Sequence, residues 1–426
     1  MRRENEGVSS QPNRRAFLTG AGATALAGLT AACSADGEGG QEPTVGPTTP
    51  PSPAPVVAEA VAFRGMHQVG VLQPVSAAGI VATFDVIDTD AAALATTLQG
   101  LTVEIERIMG GEPPVAEEEF LPPVDSGAVE PSRTLGTSVT VAAGASLFDQ
   151  RFGLGDRRPT ELIAMPRFFN DRRVRPELSH GDLAFTISGP SRQATAYALH
   201  QIVRVAARGL RLRWVQEGYN ELLPPDPDRI APTRNLMGFR DGTSNLDTAD
   251  PAVMDEHVWV APDDAEPDWA TGGTYQAVRI IRMLIEFWAT AALVRQEQIF
   301  GRHRASGAPL GQGHERDEPR FATDPSDETV PRRSHLRLAN PRTPDTGRLL
   351  RRGFSFLNGA DPSDGTLDQG LLFLAYQRSL NRGFLAAQAR LDGEPLEDYV
   401  KPVGGGLFFV LPGPGEDGWL GESLLA

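Results

Sequence analysis

One order of elements, strand, helix, strand, strand, helix, strand, runs through this chain twice. In the first pass, Ala78–Ile87 is β-rich and Asp88–Asp90 offers capping residues. Leu94, Leu98, Leu101, Ile105 and Ile108 then recur at spacings of four, three, four and three, one helical stripe that stops at Gly110 and Gly111. Gly136–Ala143 reads as a second strand, and residues 146–180 hold no clean period. Asp182–Ser188 alternates Leu183, Phe185 and Ile187 with small or polar residues, as a half-buried strand does. Gly189, Pro190 and Ser191 open a helix with Leu199, Ile202, Val203 and Ala206 on one face, closed by Gly209. Leu210–Leu223 alternates again.

The second pass starts with a strand at Thr274–Met283 and a helix at Glu286–Phe300, stopped by Gly301. A long excursion rich in arginine, proline and acids follows over 302–350. Strands at Gly353–Asn358 and Gly370–Gln377, a helix at Leu380–Leu391 and a last strand at Gly406–Leu411 complete it. Such a repeat predicts an α+β protein of two ferredoxin-like halves, residues 61–225 and 226–426, with antiparallel sheets and flanking helices in the manner of the dimeric α+β barrels.

Ahead of the halves stand two segments of other character. Asn13, Arg14, Arg15, Ala16, Phe17 and Leu18 match a twin-arginine export signal, and the run Ala16–Ala32 is too short and glycine-rich for a membrane span. Residues 1–33 are therefore expected to direct export of an already folded protein. Cys33, the only cysteine, cannot form an internal disulfide. The stretch Leu29–Cys33 resembles a lipobox, with Thr30 departing from it, so lipid anchoring and ordinary cleavage both stay open. Residues 34–60 are rich in Gly, Pro, Thr, Ser and acids and read as a flexible tether.

Acidic residues outnumber basic ones 55 to 40, for a net charge of −15 at pH 7. That balance argues against nucleic acid and anionic membrane surfaces as general partners. Lys401 is the only lysine, so the cationic side chains are arginines. No phosphate-binding glycine loop, CxxC, HExxH or serine nucleophile elbow occurs.

Chemistry concentrates in two stretches. Gly238–Asn245 reads GFRDGTSN and sets a carboxylate, Asp241, between Gly238 and Gly242, which allow close approach to a ligand. Ser334–Phe356 carries a lone histidine, His335, and sixteen residues later Arg351 at the start of RRGFSF. Of the other histidines, His200 falls mid-helix and His67 lies in MHQVGVLQP; both read as structural.

Together these stretches resemble the dye-decolorising peroxidases, marked by a GxxDG motif, a later axial His and a distal Arg. MHQVGVLQP, RIIRM, QEQIFGR with GAPLG, and LEDYVKPVGGGLFFV match further pieces, so the likeness spans roughly residues 60–415. Arg240 departs from the Lys the family often has there. The resemblance implies non-covalent haem b, one per chain; no CxxCH attachment site is present. It implies His335 as the iron ligand, Asp241 as the distal acid–base group and Arg351, rather than Arg352, as the distal cation. Asp398, beside Glu397, is the expected acceptor of the second imidazole N–H. Bulky aromatic donors would then pass electrons through Trp or Tyr side chains such as Trp259, Trp288 or Tyr376, with hydrogen peroxide as oxidant.

A second reading is a haem-handling protein of iron acquisition, of the deferrochelatase kind, working with iron-uptake components. A third is a tethered binding lipoprotein without catalysis, which would have no use for a distal acid. The sequence sets no oligomeric state.

Overall fold

The computed structural model describes residues 59–426, except 115–119, 225, 227–229, 325, 344–345 and 363. The twin-arginine motif, Cys33 and most of the expected tether lie outside the described residues.

The first half runs β1 (Ala78–Val86), α1 (Ala91–Gly110), β2 (Ser138–Gly144), β3 (Leu183–Gly189), α2 (Arg192–Val205) and β4 (Leu210–Tyr219). The second runs β5 (Thr274–Met283), α3 (Leu293–Phe300), α4 (His335–Ala339), β6 (Phe354–Ala360), β7 (Leu367–Gln377), α5 (Phe384–Leu391) and β8 (Val400–Val410). Strand order is β4-β1-β3-β2 in the first half and β8-β5-β7-β6 in the second, the same ferredoxin-like order twice. Each half leaves two edges, and the halves close on each other. β8 pairs with β2 from Phe408↔Gly144 to Val410↔Ala142, and β4 meets β6 at Tyr219↔Ser355. All these pairings are antiparallel, and the eight strands form a barrel without a free long edge.

Closure explains why alternation is hard to see in several strands. β1 is buried along nearly its whole length. Its residues Ile80, Ala82 and Phe84 pack outward against Leu94, Leu98, Leu101 and Ile105 of α1 and Ile202 of α2. Val81 turns inward to a cluster that takes a side chain from every strand, among them Ala142, Ala184, Val278, Phe354, Tyr376 and Phe408. Each fully buried Leu or Ile of the α1 stripe contributes about 1.5–3 kcal/mol. Asp90 caps that helix, its Oδ1 accepting from Ala93 N at 2.9 Å, and Gly111 ends it in the left-handed conformation.

Three expected elements differ. The helix expected at Glu286–Phe300 is broken into Ile285–Trp288 and α3. The Gln296 amide donates to the carbonyls of Trp288 (3.0 Å) and Ala291 (3.2 Å), which the break leaves free. On α2, Ile202 and the capping Ala206 are buried as expected, but Val203 is 37% exposed and Leu199 only half-buried, and Ala194, Thr195, Tyr197, Ala198 and Gln201 complete the buried face. The last strand begins at Val400, not Gly406. Pro402 and the following glycines look like a breaker, yet they form a bulge, with the register against β5 shifting between Pro402 and Gly404.

Candidate active site

Asp241 sits on a two-stranded ribbon, Thr233–Arg234 against Arg240–Asp241. Asn235 shapes its turn, accepting at Oδ1 from the N–H groups of Met237 (3.0 Å) and Phe239 (3.2 Å). Gly238 and Gly242 bracket the ribbon at φ +87° and +97°, a region strained for an L side chain. Arg240 and Asp241 both line a cavity of about 300 Å³, but the Arg240 guanidinium is taken up by buried Glu315, and the Asp241 carboxylate is not hydrogen-bonded to Arg351.

His335 opens α4, with buried Ser334 before it. The helix is anchored at both ends. Arg337 pairs with Asp324 (3.2 Å) and with Asp327, and Arg390 of α5 donates to the carbonyls of Leu338 (2.9 Å) and Ala339 (3.1 Å). The ring lines the same cavity as Asp241. Its Nδ1 lies 3.0 Å from both oxygens of Glu394, so Nε2 is the nitrogen left for a ligand. Burial alone would lower the imidazole pKa. The Glu394 carboxylate outweighs it, and the pKa stands above its ordinary value. The acceptor is therefore Glu394 and not Asp398, which is exposed. Glu397 lines the cavity but does not reach the ring.

Arg351 reaches the cavity from a two-residue strand stub paired to β7. Its Nη1 is 3.9 Å from Asp241 Oδ1, too far for a hydrogen bond, and both side chains stay partly open. Arg352 points elsewhere. It is buried and donates to the carbonyls of Val71 (3.3 Å) and Pro74 (2.8 Å). Arg351 is thus the arginine of the pair that can act in the cavity.

Four further arginines line the same cavity: Arg240 and Arg279 are paired with Glu315 and Asp171, whereas Arg302 and Arg348, which the sequence does not single out, form no ion pair among the described residues. Burial, with Arg342 and Arg351 nearby, lowers the Arg302 pKa to about 10. Arg348 forms no hydrogen bond or ion pair among the described residues, and its pKa is also lowered, chiefly by burial. One wall is thus positively charged and short of anions. Ile281, Met283, Leu371, Phe373 and Phe384 form an apolar lining. Phe239 stacks on Phe300 at 3.9 Å, and Phe300 lies 6.1 Å from the His335 ring, which ties the Asp241 ribbon to the histidine.

These features fit haem. A single imidazole backed by a carboxylate would hold the iron, the apolar lining suits a porphyrin, and the arginine wall suits its propionates. Among the described residues no group of three or more His, Cys, Asp or Glu could hold a bare metal ion, so the macrocycle must bring the other donors.

The remaining expectations divide. His67 is structural, its ring stacked on Trp259 at 4.0 Å and its Nδ1 2.7 Å from the Gly272 carbonyl. Trp259, Trp288 and Tyr376 are all buried, so none offers a bulky donor a surface to meet. Trp288 alone of the three packs in the cluster next to His335, against Phe300 at 5.8 Å.

The sequence matches the family models for the Dyp-type peroxidase N-terminal region over residues 68–220 and C-terminal region over 232–414. It is 40% identical, over the full length of both chains, to a deferrochelatase of Escherichia coli O6:K15:H31. It is 43% identical to the deferrochelatase of Yersinia pseudotuberculosis serotype I, over 85% of this chain and 84% of the other. Its fold superposes on the oxyferrous complex of DtpA from Streptomyces lividans with a TM-score of 0.78, at 33% identity, covering 87% of this chain and 98% of that one. The chain belongs to the Dyp-type peroxidases, haem enzymes that act on a peroxide and a reductant.

Proposed function

We propose that the chain binds haem b without a covalent bond through His335, and that Asp241 and Arg351 activate hydrogen peroxide in the same cavity to oxidise bulky aromatic donors. One observation carries this reading. The Glu394-backed imidazole and the Asp241–Arg351 pair line a single cavity.

Haem held by His335 would supply a redox-active iron and the electrons that reduce peroxide. The chain's own residues do the rest. Glu394 fixes the ring of His335 and strengthens it as a donor. Asp241 takes the proton from the inner peroxide oxygen and returns it to the outer one. The Arg351 guanidinium stabilises the negative charge growing on the departing oxygen. The gap of 3.9 Å between Asp241 and Arg351 leaves both free to face a small molecule.

The reading extends to location: export by the twin-arginine route, with Cys33 as a lipid anchor on the cell envelope if it is modified.

The full-length likeness to deferrochelatases supports a second reading, in which the same cavity releases iron and leaves the porphyrin intact, alongside an iron-uptake system. One preparation distinguishes them. Haem-loaded protein is mixed with peroxide and an anthraquinone dye, and separately incubated without peroxide while metal-free porphyrin fluorescence is followed. Dye bleaching without porphyrin release supports the peroxidase role. Porphyrin release without bleaching overturns it.

A further inference from the structure

We propose that Asn245 is a positioning residue that sets where Arg351 stands relative to Asp241. The inference rests on Arg351 being the distal cation. It is drawn from the backbone of the strand stub Leu350–Arg351.

That stub pairs with β7 through Ala375↔Arg351 and Tyr376↔Leu350, and the next residue, Arg352, donates its N–H to the Leu374 carbonyl at 2.9 Å. In an antiparallel ladder, alternate residues direct both N–H and C=O to the same side. With Arg352 bonded to β7, the N–H and C=O of Arg351 face the other way, where no strand continues the sheet among the described residues. The side chain of Asn245 fills that place. Its Oδ1 accepts from Arg351 N at 2.8 Å, and its Nδ2 donates to Arg351 O at 2.8 Å. The carboxamide copies the donor–acceptor pair of a neighbouring strand. Only an amide can do both, because a carboxylate has no N–H to give.

Asn245 is itself fixed to the motif. Its N–H donates to the Gly242 carbonyl at 2.9 Å, closing a turn directly after Asp241. One short turn therefore carries the acid and grips the backbone of the cation. The neighbouring Ser244 holds the arginine wall in the same way, its Oγ accepting from Arg302 (2.9 Å) and Arg342 (3.4 Å). Without Asn245, Arg351 would hang on a two-residue stub bonded on one side, and its guanidinium would lose its set distance from Asp241.

The test is a double-variant cycle on the full haem-loaded chain, with Asn245→Ala, Arg351→Leu and the pair together. Fluoride is the probe. It binds the resting iron and accepts hydrogen bonds from the distal side, and its affinity is read from the Soret shift without turnover. Asn245→Ala is expected to weaken fluoride binding about 10-fold, with haem content unchanged, the size of one hydrogen bond from a charged donor. In the Arg351→Leu background the same change is expected to cost less than about twofold, because the residue acted through the arginine. An equal loss in both backgrounds, or a lower melting temperature with fluoride affinity intact, would mean a merely structural loop anchor and overturn the proposal. If Asn245→Ala does not fold, Asn245→Asp takes its place in the cycle, keeping the acceptor and losing the donor, with the same outcomes deciding. Arg351→Leu with wild-type fluoride affinity would instead sink the distal-cation reading, and this inference with it.

Discussion

Both carboxylate oxygens of Glu394 stand 3.0 Å from Nδ1 of His335, and that symmetric contact fixes the orientation of the ring. A carboxylate behind a metal-bound imidazole raises its basicity, and losing such a partner costs about 10–100-fold in metal affinity or activity. Glu394→Gln is therefore expected to weaken haem binding within that range, measured by titrating haem into the apoprotein. Asp398→Asn should bind as the wild type does. If Asp398→Asn were the damaging change, the proximal acceptor would have to be reassigned.

The same contact gives opposite pH trends for the apoprotein's stability and its haem uptake. The folded His335 pKa is raised: burial opposes the charge, and Glu394 more than offsets it. Its contribution to apoprotein stability is therefore complete below the unfolded imidazole pKa of about 6.5 and is lost as pH rises through the higher folded value. Ligation needs the neutral ring, so haem affinity falls as pH drops through that folded value. Melting temperatures and Soret titrations of apoprotein between about pH 5 and 9 should show the two trends. Glu394→Gln should move both midpoints down. An affinity flat across the range would deny that His335 is the ligand.

Gly405 is where the barrel should tolerate least. Its φ is +125°, and a Cβ there would lie 2.0 Å from the Val278 carbonyl oxygen on the paired strand. Backbone cannot move aside as a side chain can. Gly405→Ala should destabilise the protein beyond the usual range of about 0.5–3 kcal/mol for point changes. Thermal melts with matched haem content measure it. A variant melting within a degree or two of the wild type would show that the bulge can rearrange.

That glycine also shows what the sequence could and could not reveal. Elements with one buried stripe and clear stops were legible: α1 ends at Gly111, as Gly110 and Gly111 suggested, and β5 covers Thr274–Met283 as read. The expected last strand starts only at Gly406 because Pro402, Gly404 and Gly405 look like a loop, and only the close approach of Leu178 and Val278 explains those two glycines. In the site, Asp241, His335 and Arg351 were legible as motif residues, and the fold brings all three to one cavity. Glu394 lies two positions ahead of the matching stretch Leu396–Val410 and so falls outside the resemblance. The expectation falls on Asp398 because which acid faces the ring depends on the turn at Pro395–Asp398, and nothing local in the sequence shows that turn. Arg302 and Arg348 were hidden in an arginine-rich excursion, where nothing local marks the cavity-facing ones.

Export depends on Arg14 and Arg15 in the proposed reading. Replacing both with Lys should leave the precursor in the cytoplasm, tracked by fractionation and immunoblotting. Normal export of that variant would remove the twin-arginine assignment. Cys33→Ala should free the protein from the membrane fraction if Cys33 carries a lipid, and a wild type already found free would decide against the anchor.

Asp241 and Arg351 act on the same step by different physics, and pH separates them. Arg351 provides fixed charge where negative charge develops, and losing one such stabiliser typically costs about 10²–10³-fold in rate. Asp241 moves a proton, typically worth about 10²–10⁴-fold. The ranges overlap, so the size of the loss cannot rank them. A guanidinium supplies charge without exchanging the proton, whereas a carboxylate must be ionised to accept it and so leaves a titration in the rate. Asp241→Asn should slow the peroxide step and remove that titration. Arg351→Leu should keep the titration and lower the whole curve. At 3.9 Å neither group is locked to the other by a hydrogen bond, so each can be changed without removing a bond from the other. Stopped-flow mixing with peroxide from about pH 4 to 8, following loss of the resting Soret band, measures both. If Asp241→Asn keeps the wild-type rate and profile, Asp241 only shapes its glycine ribbon, and the proton must be carried by water or by another group lining the cavity.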